Sequence, residues 1–468
     1  VQELQEKPAD LFAAAMADFR AGNRVQAASI CRRILAKTAA HAGANHLLGV
    51  VQLLDGDPVS AESHIRASLA VTPNAEAETD LSLALRRQNR LDEAEAALRR
   101  AIALDPQFAL ARKSLARLLP ERGDLAGAEA EFRAALALDP NDAEMHFHFG
   151  RMLTQQARHA DALAAFERAV ALHPSWAEAS NSLGSAFGEL NRRDEAETAF
   201  RRALALRPRF AEALCNLGTL LFDSRRFDEA QTVLRAALEV NPDFASACFT
   251  LGKTLNHLGR SEEAIEAYRR TVKLTPDAAG AQNALGALLA EAGSFTEAEG
   301  LLRRAVELNP GFAAAHTNLG SLLQDTNRPA EAEPHLRTAL ELAPDNWIAA
   351  HNLTNLLRNV RRFDEAEAIA RRALALKPNS ADSYIGLANV LVGKASGDLS
   401  EALNLYRKAI ALDPDSLMAH ANLCYALTFV SFDGRDVFEE IVPVLVFVSA
   451  PVDEATPSAT ELAVVACA

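Results

Sequence analysis

AEASNSLGSAFGELNRRDEAETAFRRALALRPRF, residues Ala177 to Phe210, reads as two short helices with a break between them. In the first half Ala179, Leu183, Gly184 and Phe187 recur at helical spacing and form one apolar stripe. Gly184 has no side chain, so a partner helix can come close there. Asn191–Arg193 interrupts the stripe as a polar turn. Asp194 and Glu195 then open a second helix, where acidic residues suit the positive end of the helix dipole. Ala196, Phe200 and Ala203, at i, i+4 and i+7, face back on the first helix. Pro208 stops the second helix, because the residue before a proline is pushed out of helical geometry. Phe210 can pack over the start of the next helix as a hydrophobic staple, and Phe108, Trp176, Phe244 and Phe312 take the same slot. Two helices this short cannot bury their apolar faces alone, so stability has to come from stacking on neighbours.

Outward from this stretch the pattern repeats. Pro73, Pro106, Pro140, Pro174, Pro208, Pro242, Pro276, Pro310, Pro344, Pro378 and Pro414 close successive copies. From Pro106 to Pro378 every interval is 34 residues, while the first is 33 and the last 36. A fixed period of this size means a solenoid and not a globular enzyme core. Twelve complete repeats end at Ala39 and at the eleven prolines, and a lone thirteenth first helix runs near Leu417–Phe429. The first repeat is atypical, with Ala39 in the proline slot and Cys31 in the aromatic slot, as suits a cap. The expected organisation is an N-terminal extension over 1–7, twelve repeats over 8–416, a thirteenth first helix with a junction over 417–440, and an atypical tail over 441–468.

The pattern L-G-x-x-F, A-x-x-x-F, P resembles the tetratricopeptide repeat family. It is carried by Leu183-Gly184, Phe187, Ala196, Phe200 and Pro208. It recurs as Leu217-Gly218, Ala230 and Pro242, as Leu251-Gly252, Ala264, Tyr268 and Pro276, and as Leu319-Gly320, Ala332 and Pro344. The resemblance covers residues 8–430 and implies an all-α, right-handed α-solenoid superhelix of helix-turn-helix repeats whose activity is protein binding.

Composition limits the partners. The chain has 468 residues, 49% hydrophobic but only 6% aromatic, so alanine fills much of the apolar count and suits close-packed helices. The net charge of −14 disfavours nucleic acid and anionic membrane as main partners, since both demand a basic face. No apolar run reaches the ~18 residues of a membrane helix, and no signal peptide opens the chain. Cys31, Cys215, Cys248, Cys424 and Cys467 share no metal-like spacing, which fits reduced thiols in a cytoplasmic protein.

No catalytic, cofactor or metal site is expected: there is no phosphate loop, no GxSxG and no HExxH. His146 and His148 are two apart on a helix and so point to different faces. Glu95 with Arg99 and Glu197 with Arg201 are i, i+4 pairs on a solvated helix face.

A more selective stripe lies on the first helices, where positions two, six, nine and thirteen of each repeat share a face. Position six reads Asn216, Thr250, Ala284, Asn318, Asn352, Gly386 and Asn422 through the last seven first helices, with Asn355 and Asn389 at position nine. In the family the first helices line the concave groove, so the resemblance implies that Asn216, Asn318, Asn352, Asn355, Asn389 and Asn422 form a partial ladder there. An amide offers donor and acceptor together and so matches the peptide group of an extended ligand. The alternative is a polar residue facing water or bonding to the adjacent repeat. Asp80, Ser114, His148 and Ser182 hold position six nearer the N-terminus, which makes the second half of the groove the stronger candidate. His351 and Ile348 beside Asn352 and Asn355 argue against a clamp for a C-terminal carboxylate there.

DSLMAHANLCYALTFVSFDGRDVFEE, after Pro414, resembles the junction at which bacterial O-GlcNAc-transferase-like (SPINDLY-type) proteins pass from repeats into a catalytic domain. His420, Asn422, Leu423 and Leu427, then Val437, Phe438 and Glu439, carry that likeness. The resemblance implies an acceptor-recognising arm whose catalytic part is absent from these residues. The stretch after Glu440 has no Lys or Arg and is read either as a shifted frame or as a tail with Ile441–Val448 as a strand or cap. The competing reading is a stand-alone scaffold for a bacterial assembly in secretion or envelope biogenesis. The expected partners are proteins or extended peptides, with a homodimer through the convex face left open.

Overall fold

The computed structural model describes residues 7–394 and 399–427. The proposed junction beyond Leu427, the tail and most of the N-terminal extension lie outside them. The described residues hold 25 α-helices, from α1 (Pro8–Arg20) to α25 (Leu417–Leu427), one 3-10 turn at Leu119–Arg122 and no strand. Odd-numbered helices are the first helices of their repeats, even-numbered ones the second. The chain divides into two compact bodies, one ending at Pro242 and the other starting at Asp243.

Repeat geometry follows from the sequence residue by residue. In the hairpin of α11 (Ala177–Glu189) and α12 (Arg193–Leu206), Ala179, Leu183, Gly184, Phe187, Ala196, Phe200 and Ala203 are all buried. A Cβ on Gly184 would stand 2.7 Å from the Phe200 ring, so the bare backbone is what lets the aromatic side chain lie across it. The same contact joins Gly252 to Tyr268, and Gly320 to Leu336. Each second helix ends in extended backbone before its proline, as at Arg207 with φ −138° and ψ 91°. Phe210 is buried with Ala177, Ala203 and Ala213, and the Arg207 guanidinium lies 4.4 Å above its ring.

The turn is shifted by one residue from the expected Asn191–Arg193: α12 begins at Arg193 itself, leaving Leu190–Arg192. Asn191 takes φ 57°, and Asn191 and Arg192 return their N–H groups to the carbonyls of Gly188 and Phe187. This left-handed residue closes the last turn of the helix. The slot recurs every 34 residues from Asn89 to Arg361, held by Gly123, Gly259 and Gly293, by Asn191 and Asn327, and by Ala157 and Arg225. Alanine and arginine gain no relief there from the Cβ clash that disfavours left-handed backbone.

The charged faces also carry more than i, i+4 pairs. Glu197 meets Arg201 at 2.7 Å and, equally close at 2.7 Å, Arg226 of the following repeat. Arg226 in turn holds Glu229 at 2.6 Å. Arg90 joins Glu62 and Glu93, Arg158 joins Glu129 and Asp161, and Arg328 joins Glu299 and Glu331 in the same way. Each of these turn arginines thus links its own helix to a glutamate 28 or 29 residues back. Cys31, Cys215, Cys248 and Cys424 are buried free thiols, and burial pushes Cys31 up to about 11 despite Arg32.

Candidate peptide-binding face

All six candidate asparagines stand half-buried on first helices. Asn216, on α13 (Ala211–Asp223), donates to Asn181 Oδ1 on α11 at 3.0 Å. Asn318, on α19 (Ala313–Asp325), donates to Asn283 Oδ1 on α17 (Ala279–Glu291) at 2.9 Å. Asn422, on α25, donates to Asn389 Oδ1 on α23 (Ala381–Lys394) at 3.0 Å. The Tyr406 hydroxyl donates to that same oxygen at 2.6 Å. Asn355 donates to His351 Nε2 at 2.9 Å within α21 (Trp347–Asn359). Burial holds His351 below the usual histidine range, so its ring nitrogen is free to accept. Asn352 makes no side-chain hydrogen bond among the described residues.

Asn216, Asn318 and Asn422 therefore bridge neighbouring first helices. Asn318 and Asn422 use one of their two N–H donors in the bridge and keep the other, while Asn216 also donates to Ser185 Oγ at 3.5 Å; all three keep their carbonyl lone pairs. Their orientation is fixed by the bridge, which lowers the entropy lost when a ligand is gripped. Beside Asn216 a cleft of about 330 Å³, lined by Ser185, Glu189, Thr219 and Leu220, leaves room for a chain. The bridge acceptors Asn181 and Asn283 escaped the sequence reading, although each sits 35 residues before its partner, one position off the period. Tyr406 carried no such signal.

In the early repeats of the N-terminal body several of these positions are charged. His46 meets Asp80 at 2.7 Å in the place of the amide bridge. Lys113 is held by Asp142 and, at 3.3 Å, by Asp139. A cleft of about 460 Å³ opens among Asp80, Arg86, Lys113, Ser114 and Arg117. His146 Nε2 donates to the Pro140 carbonyl at 3.1 Å, while His148 lines a cleft with Arg117 and Arg151, so the two rings do face apart. Among the described residues no three metal-ligating side chains converge, and no helix is long and apolar enough to cross a membrane.

Stacked helical hairpins in each body define a helical-repeat protein suited to protein–protein interaction. The chain belongs to the tetratricopeptide repeat family, whose models match residues 79–313 and 351–416, and again 289–357. No curated protein matches the sequence. Among solved structures it is similar to the APC/C hetero-tetramer Cut9-Hcn1, at 15% identity over 90% of this chain and 96% of that one, with a TM-score of 0.51. It is also similar to YrrB, described as a TPR protein with an unusual peptide-binding site, at 24% identity over 40% of this chain and 96% of that one, TM-score 0.36. MamA matches at 26% identity over 33% of this chain and 91% of its own, TM-score 0.32. At 15% identity the likeness to Cut9-Hcn1 speaks to the fold alone.

Proposed function

We propose that the chain captures extended peptide segments along its first-helix face, with Asn216, Asn318, Asn352, Asn355, Asn389 and Asn422 addressing the ligand backbone. The observation that supports this most is the set of inter-repeat amide bridges, which orient Asn216, Asn318 and Asn422 while leaving each its carbonyl acceptor and leaving Asn318 and Asn422 a donor as well. A peptide bond adds about 0.5–1.5 kcal/mol per hydrogen bond, so several in register grip a chain with little regard for its side chains.

The test uses peptides selected from a displayed library of unstructured sequences, measured by fluorescence anisotropy. Asn216→Ala, Asn318→Ala and Asn352→Ala together keep the helical circular dichroism and weaken capture at least tenfold. Unchanged affinity returns the amides to a purely structural role. In its wider setting the chain serves as the acceptor-recognising arm of an O-GlcNAc-transferase-like protein, on the strength of His420, Asn422, Leu423 and Leu427 together with the asparagine stripe. A stand-alone bacterial scaffold is the competing setting. Reading the coding DNA beyond codon 440 in every frame separates them, since the first requires a nucleotide-sugar transferase domain.

A further inference from the structure

The N-terminal body carries a second, chemically different recognition element, and the argument for it rests on the peptide-groove reading above. Arg117 on α7 (Ala109–Leu118) and Arg151 on α9 (Ala143–Gln155) both hold position nine of their repeats. Both are exposed, and neither has an ion-pair or hydrogen-bond partner among the described residues. That sets them apart from the turn arginines, such as Arg90, Arg158 and Arg226, which are each committed to two carboxylates. They line one cleft of about 270 Å³ with Arg86, Glu121 and His148, over Phe132 and Met152. The one carboxylate in that cleft, Glu121, is taken by Arg86. Burial first, then Arg117 and Arg151, hold His148 below its usual range, so both guanidinium groups act on the same small volume. In a chain of net charge −14, two uncommitted cations in one groove are an attractive feature for an anion.

We propose that Arg117 and Arg151 anchor an acidic segment of a bound peptide by its side-chain carboxylates. Arg117 and Arg151 line the same cleft of about 270 Å³, which sets the scale of their separation. An extended peptide puts residues i and i+2 on one face about 7 Å apart, and flexible guanidinium arms close the difference. The fitting motif is therefore two Asp or Glu residues separated by one residue, each carboxylate meeting one planar fork of N–H donors.

The test uses the full chain at low salt with two fluorescent peptides blocked at both ends, Ala-Glu-Ala-Glu-Ala-Glu-Ala and its Gln counterpart. Blocking removes terminal charges, so only side chains differ. The Glu peptide binds at least tenfold tighter than the Gln peptide, and Arg117→Gln with Arg151→Gln erases the difference. Arg209→Gln with Arg225→Gln, which removes two exposed charges elsewhere on the same body, leaves it intact. Equal affinity for the two peptides overturns the acidic anchor but leaves the groove reading standing. Failure of both peptides to bind overturns both. Equal loss in the two double variants reduces the effect to net charge, and full displacement by millimolar inorganic phosphate reduces it to a general anion site. Either result overturns the proposal. Unchanged helical circular dichroism guards against misfolding as the cause of loss.

Discussion

Early and later repeats build the same face from different chemistry. In the early repeats, position five and six side chains meet as His46 with Asp80, and Lys113, Arg117 and Arg151 bring charge to the groove. In the later repeats, the corresponding places hold Asn181 with Asn216, still within the N-terminal body, and Asn283 with Asn318, then Asn352, Asn355, Asn389 and Asn422, without a net charge of their own. The hairpins beneath are the same, with a glycine under a large side chain in both, as at Gly184 and Gly320. A repeat scaffold thus separates what holds it together from what it recognises: the inward stripe is constrained, and the groove positions are free to change.

The largest expected effects test whether the scaffolds really are equivalent. Gly184→Leu and Gly320→Leu each force a side chain into Phe200 or Leu336 and cost about 1–3 kcal/mol or more. Because each repeat contacts chiefly its neighbours, hydrogen exchange rises in the body that carries the change and stays low in the other. Loss in both bodies from either variant breaks the comparison.

Salt comes next. Raising sodium chloride from about 20 mM to about 500 mM shortens the Debye length severalfold. Acidic-peptide binding at Arg117 and Arg151 weakens at least tenfold, while neutral-peptide binding at the asparagine stripe changes less than twofold, both read by anisotropy. Parallel losses would mean that the two grooves are not chemically distinct.

Acid acts on both bodies alike. Burial raises the Glu197 carboxyl, but bonds from Arg226 and Arg201 outweigh it and hold it below the ordinary 4.5. Arg362 and Arg337 hold Glu365 below the same value. A carboxylate depressed on folding contributes stability that is complete above the ordinary value and lost as pH falls below it. Thermal melts should therefore be flat from pH 7 to about 5 and drop steeply below about 4.5, in both bodies together.

The smallest effects concern the turns. Ala157→Gly in one body and Arg361→Gly in the other relieve left-handed backbone at φ 56° and 64°. Each should gain about 0.5–1 kcal/mol, the relief of the clash less the flexibility glycine adds to the unfolded chain. Asn191→Gly, at the same slot, should gain less, because asparagine tolerates that conformation.

The repeats were legible because their cues are local. Leu183-Gly184, Phe200 and Pro208 lie within one hairpin, and helical spacing with one short turn brings the first three together. The amide bridges were not legible in the same way. Asn216 reaches Asn181 across a whole intervening helix, and a 34-residue period does not say which of two adjacent positions faces the neighbour. The turn arginines were half-read: Arg201 with Glu197 is a local pair, whereas Arg226 with Glu197 needs the stacking of hairpins. Arg117 and Arg151 stand out by lacking a carboxylate, which only coordinates reveal.

The linkages span fixed distances along the chain, and that makes the number of repeats adjustable. Excising Ala313–Asn346 would bring Asn352 to the place of Asn318, facing Asn283, and Arg362 to the place of Arg328, facing Glu299. Both new pairs are chemically the same as the ones removed. Genes for such chains can therefore lengthen or shorten by whole repeats through unequal recombination, and the protein meets each change with partners already waiting in register.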